Sequence, residues 1–271
     1  MKFSLILKYI LLAIIALGMI FPMFWMILLS LKSNPGAFSS FTSLLSGDFT
    51  LNNYLDALSS DSFDIYFLNS LIVAVTVTFG NLIFCLMTGY ALARRISTFN
   101  KLIFLTILGV LIIPPHVIMI PLYRLMVSFS WINTYYALII PWIITPFGVF
   151  LVQQYIMSLP NEIENAARID GASELRILFG IVMPLAKPVL VVLAVYTFLA
   201  NWNSFLFPFL FTNEESMRTL PVGLAFYLGK QSIDWGHLMA GGAMSALPVI
   251  ILFLLFQNQI IKGLTSGALK E

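Results

Sequence analysis

Residues 158–184, SLPNEIENAARIDGASELRILFGIVMP, carry the densest set of reactive groups in this chain. Six are charged: Glu162, Glu164, Arg168, Asp170, Glu174 and Arg176. Carboxylates and guanidiniums so mixed make ion pairs and hydrogen bonds. Glu164 precedes Arg168 by four positions, the better orientation on a helix, which contributes roughly 0.2–0.5 kcal/mol. Elsewhere the chemistry is sparse. No nucleophile–base arrangement or paired carboxylate lies within the apolar stretches. His116 and His237 stand far apart without ligand-spaced partners. The string from Gly223 to Ser232 resembles a phosphate-cradling loop only loosely. It places five residues between Gly223 and Gly229, and Gln231 stands where Ser or Thr should hold the metal. The chain is therefore read as non-enzymatic, with no cofactor and no metal bound by its own residues.

The elements that must position the charged segment follow from local rules. Pro160 suits a first helical turn, where a missing N–H matters little. Glu162 and Glu164 then lie at the positive helix end, where carboxylates are favoured. Ala166 and Ala167 are strong helix formers that leave a shallow surface. Gly171 can adopt positive φ and end the helix. Ser173 can cap a second helix running through Leu175, Leu178 and Phe179 towards Pro184. The segment should form helix, sharp turn, helix. A solvated loop helix and a docking element both satisfy this description.

Both flanks are apolar. The chain of 271 residues is 60% hydrophobic and 10% charged, with mean hydropathy +0.96, against about 25% charged in soluble domains. An all-α, polytopic membrane protein is expected. The net charge of +2 gives no reason to expect a nucleic-acid partner. Cys85 is the single cysteine, so an intrachain disulfide is excluded.

A span needs roughly 20 predominantly apolar residues. Six candidates are read: 9–31, 67–92, 102–122, 135–156, 185–208 and 240–261. The first is read as a retained helix and not a cleaved signal, because its apolar run is long and no A-x-A pattern follows. Pro114–Pro115 should break the third span, and Pro141 and Pro146 should make the fourth irregular. Residues 33–63 and 209–239 are read as loops on one side.

Lysine and arginine set the orientation. Ten lie on one set of ends: Lys2, Lys8, Arg94, Arg95, Lys101, Arg168, Arg176, Lys187, Lys262 and Lys270. Four lie on the other: Lys32, Arg124, Arg218 and Lys230. The richer side, with both termini and the 158–184 segment, is expected to be cytoplasmic.

Ion-coupled carriers place ionisable residues inside their spans, and these spans carry almost none. Uncharged polar residues do occur: Asn69, Asn81, Gln153, Gln154, Asn201, Asn203, Gln257, Asn258 and Gln259. They fit hydrogen bonding between helices, on the order of 1 kcal/mol each, or a path for a neutral hydroxyl-rich solute. Asn201, Trp202, Asn203 and Phe205, with Phe198, combine hydrogen-bonding groups with aromatic faces and are the candidate pathway residues.

The charged segment resembles the "EAA" loop of importer-type ABC permeases. The pattern here reads Asn165-Ala166-Ala167, Asp170-Gly171-Ala172 and Ile181-Val182-Met183-Pro184, with Asn165 in place of Glu and Met183 in place of Leu. Gly89-Tyr90-Ala91-Leu92-Ala93-Arg94, Ile120-Pro121-Leu122-Tyr123, Asn201-Trp202-Asn203, Thr219 to Leu224 and Gly263 to Ala268 extend the likeness. Together they are similar to carbohydrate importer permeases of the maltose-transporter-G-like branch, although Ser204 stands where that family commonly has Asp. The resemblance implies a MetI-like ABC type-1 fold of six helices. Residues 1–66 would form the first helix and an extracytoplasmic loop, 67–262 the MetI-like domain and 263–271 a cytoplasmic tail. It implies a place in the cell's inner membrane, a second homologous permease and an extracytoplasmic solute-binding protein. It also implies a cytosolic ATPase dimer that hydrolyses ATP on the chain's behalf. The ATPase-coupling residues would be Glu164, Asn165, Ala166, Ala167, Asp170, Gly171, Ala172 and Glu174. An ABC permease for glycerol phosphate, a polyamine or a peptide is an alternative, and an ATP-independent channel or carrier is another.

Overall fold

The computed structural model describes residues 2–33, 48–60, 62–95, 97–228 and 233–268. Among these, the regular secondary structure is helical, apart from one isolated bridge pairing Lys32 with Phe49. Four helices are long and apolar enough to cross a membrane: Leu5–Ser30, Phe63–Arg94, Tyr135–Met157 and Trp235–Gln257. Two bent pairs raise the number to six when each is one span: Thr98–Ile112 with Pro115–Ser128, and Glu174–Leu185 with Lys187–Trp202.

The breaks have local causes. The third span turns by 94° where Pro114 and Pro115 follow Ile113, since a proline ring clashes with the preceding turn and supplies no N–H. The fourth passes through a 3₁₀ turn at Ile140–Trp142 and restarts at Pro146, capped by the Thr145 hydroxyl accepting from the Gly148 N–H. The second bent pair turns by 80° at Ala186, where Glu174–Leu185 gives way to Lys187–Trp202.

Two expected loops contain helix. Asn52–Ser60 interrupts 33–63, and Leu206–Phe211 and Leu220–Leu228 occupy much of 209–239. The reason is packing, which short apolar segments obtain from neighbours and not from their own periodicity. Gly223 and the residues up to Leu228 are helical, so they cannot form a phosphate loop. Gly229 to Ser232 lie outside the described residues, as do Pro35, Gly36, Asp61 and the side chains of Asn258 and Gln259.

The chain forms two compact units. In the first, Met1–Phe67 with Leu220–Ile250, the Asn53 amide donates to the Ser30 and Lys32 carbonyls, both at 2.8 Å, and closes the end of the first helix. Phe63 is fully buried beside Tyr227. A Cβ on Gly223 would fall 2.1 Å from the Tyr66 ring, so this helix contact admits only glycine. Along its most apolar stretch the first helix buries none of its residues within the protein, as suits side chains that face lipid or other subunits.

In the second unit, Leu68–Thr219 with Ile251–Glu271, two apolar clusters form the core. One gathers Cys85, Leu86, Tyr90, Val149, Val152, Ile156, Ile177, Leu178, Val182 and Leu193. The other gathers Val73, Val77, Met126, Ala137, Leu138, Phe207 and Phe211. Helices approach closely at Gly89, where a Cβ would lie 2.9 Å from Val152, and at Gly148, where it would lie 2.6 Å from the Cys85 sulfur.

Candidate functional site

The 158–184 segment folds as helix, turn, helix. Asn161–Ile169 forms the first arm, with Pro160 at its N-cap, one position earlier than expected. Gly171 ends it at φ +81°. The Ser173 hydroxyl caps the second arm by accepting from the Arg176 N–H. That arm runs Glu174–Ile177, then through a π-helical stretch at Leu178–Val182 to Met183–Leu185. Ile177, Leu178 and Val182 anchor it in the apolar core.

The two faces of the first arm differ. Glu164 is 2% exposed and turned into the protein. Arg94, the last residue of the second span, donates from Nε to its Oε1 at 2.8 Å. Arg94 also donates to the Leu159 carbonyl at 3.2 Å, in the link between the fourth span and the arm. The expected Glu164–Arg168 pair forms at 3.6 Å. Arg168 sits closer to Glu174 across the turn, at 3.0 Å, and that hydrogen bond holds its guanidinium proton more tightly than usual. It also donates to the Asn165 side-chain oxygen at 3.0 Å. Tyr90 stands between the arms, its hydroxyl 3.1 Å from one oxygen of Glu164 and 3.1 Å from one of Glu174.

These five side chains, two arginines, two glutamates and a tyrosine, balance their charges. All but Glu164 edge a cleft of about 520 Å³, lined by Tyr90, Arg94, Arg95, Asn165, Arg168 and Glu174 among others. The opposite edge of the arm points outwards. Ile163 is 43% and Ile169 87% exposed, and Ala166 between them is exposed as well. Positions i, i+3 and i+6 share one side of a helix, the pattern by which an amphipathic helix enters a groove. Ala167 and Ala172 are half-buried against the core, while Asp170 and Gly171 are exposed.

Sequence reasoning picked out the arms and missed their tether. Tyr90 and Arg94 belong to the quoted Gly89 to Arg94 motif, but their part here is new. Their i,i+4 spacing at the end of an apolar run is the signal that marks them as one helix face.

The pathway candidates separate. Trp202 is 2% exposed and stacks on Phe198 with ring centroids 5.8 Å apart, so it presents no open face. The Asn201 and Asn203 amides donate back to the Thr197 and Leu199 carbonyls. Asn203 and Phe205 are exposed, and Phe205 stacks on Phe209. Asn69, Asn81 and Gln153 are buried. Asn81 donates to the Trp142 carbonyl freed by the break in the fourth span and accepts from Thr197.

Comparison with known proteins agrees with this architecture. The chain is 37% identical to the trehalose/maltose transport system permease protein MalG of Thermococcus litoralis, over 99% of this chain and 97% of that protein. It is 36% identical to the arabinooligosaccharides transport system permease protein AraQ of Halalkalibacterium halodurans, covering 95% and 94%. The fold matches a chain of a bacterial ABC transporter involved in the import of the acidic polysaccharide alginate. The TM-score is 0.85 at 23% identity, over 95% of this chain and 96% of that one. Residues 85–266 match the binding-protein-dependent transport system inner membrane component, and the chain belongs to that family of multi-pass membrane permeases.

Proposed function

We propose that this chain is a permease subunit of an ABC importer that translocates a sugar or oligosaccharide handed over by an extracytoplasmic binding protein. A second homologous permease completes the pathway, and a cytosolic ATPase dimer hydrolyses the ATP. The chain lies in the cell's inner membrane with both termini cytoplasmic, and it binds no cofactor of its own. The names of similar permeases support the solute class: arabinooligosaccharides, trehalose/maltose and, at 34% identity, melibiose/raffinose/stachyose in Bacillus subtilis.

The observation that carries the reading is the two-faced first arm. Its inner face is clamped by Glu164 to the second span, and Ile163, Ala166 and Ile169 are left outward for an ATPase groove. Asn165, Ala166, Ala167, Asp170, Gly171 and Ala172 shape the docking elbow, while Glu164 and Glu174 hold it. Asn203 and Phe205 are the pathway contacts, and Asn201 and Trp202 position them. Reconstitution with a partner permease, ATPase and binding protein tests the reading. Uptake should require the ATPase and ATP. Uptake that persists without the ATPase would overturn it.

A further inference from the structure

We propose that Tyr90 and Arg94 are the positioning residues that deliver movement of the elbow to the second span, with the single Tyr90 proton shared between the two arms. The inference rests on the docking reading above.

Tyr90 joins two mechanical bodies. Its ring is 8% exposed in the apolar cluster with Val152, Ile177 and Leu178. At the neighbouring Gly89 the helix packs so closely on Val152 that a side chain has no room there. Its hydroxyl leaves this core and meets Glu164 before the Gly171 turn and Glu174 after it. A hydroxyl carries one proton, so it donates to one carboxylate at a time. Arg168 donates to the Tyr90 hydroxyl oxygen at 3.2 Å and leaves the hydroxyl proton free to choose. Displacement of one arm relative to the other changes which carboxylate is nearer. Arg94 fixes the frame for that choice through Glu164 and the Leu159 carbonyl. Both arms are thereby referred to one point on the second span, and a push on the turn reaches the bilayer-embedded helix there.

The test uses the whole importer in proteoliposomes and reads ATP hydrolysed per solute imported, together with ATPase co-purification. Tyr90→Phe keeps the ring and both arginine pairs, so assembly should match the wild type. The ATP-to-solute ratio should rise at least about fivefold, the lower end of coupling effects. Arg94→Lys keeps the charge but loses the two-pronged contact, and should raise the ratio as well; it decides the matter if Tyr90→Phe fails to assemble. A merely structural role would lower uptake and stimulated hydrolysis together and leave the ratio unchanged. A ratio within about twofold of wild type in the assembled variants, below that range, overturns the proposal and spares the docking reading. Failure of the wild-type chain to retain the ATPase overturns both.

Discussion

The Arg94 guanidinium holds one carboxylate oxygen of Glu164 at 2.8 Å across 70 positions of sequence. The two side chains are 10% and 3% exposed, so the pair is largely withdrawn from water.

We predict that Arg94→Ala destabilises the protein by about 1–3 kcal/mol, because it removes the shortest charged contact of a buried carboxylate that keeps only the Tyr90 hydroxyl and the longer Arg168 pair. Adding Glu164→Gln should recover much of that loss. Thermal melting in detergent checks this, and single and double variants that both melt with the wild type would show that the pair does not hold the elbow.

Gly171 has open space around it and φ +81°, so a side chain there meets backbone strain and no neighbour. A β-branched residue in this region carries a penalty of roughly 1–2 kcal/mol, whereas asparagine tolerates it. Gly171→Val should therefore uncouple hydrolysis from uptake with insertion intact, and Gly171→Asn should retain uptake. Indistinguishable transport by the two variants would argue against the turn as the moving part.

Ile169 touches little of its own chain, so Ile169→Asp should change stability by no more than about 0.5 kcal/mol. The same change should weaken ATPase retention about tenfold or more, as losing an interface anchor does. Binding of purified ATPase to the permease pair measures it, and unaltered affinity would remove this edge from the docking face.

Asn81 bonds the Trp142 carbonyl at 3.2 Å where the fourth span breaks. Asn81→Leu keeps the volume but leaves that carbonyl without its side-chain donor, a penalty of about 1–3 kcal/mol. The melting temperature should fall, and a variant as stable as the parent would mean that other groups satisfy the break.

Gly148 faces the Cys85 sulfur, with Asn81 and Thr145 oxygens also within 2.9 Å of a built Cβ. Gly148→Ala should overpack this contact by about 1–3 kcal/mol. Cys85→Ala should relieve it only in part, because the oxygens remain. Full rescue by the cysteine change, read as melting temperature, would contradict the crowding seen around this glycine.

Much of the molecule was legible in its sequence because the deciding interactions are local. Apolar run length sets where the spans lie, and the Pro114–Pro115 pair sets where the third turns. The Gly171 turn and the Ser173 cap depend on residues within a few positions. The tether was not legible, because Tyr90 meets Glu164 and Glu174 from 74 and 84 positions away. No local rule states which carboxylate a distant hydroxyl will face. The same holds for Trp202, whose burial is decided by packing, and for Leu220–Leu228, a helix whose Gly223 seats it on the Tyr66 ring. Sequence alone determined the spans, their punctuation and the elbow, since backbone sterics and solvent transfer act residue by residue. Only the tertiary structure decided which sequence-distant charges meet and which aromatics remain open, since those depend on how distant segments pack in space.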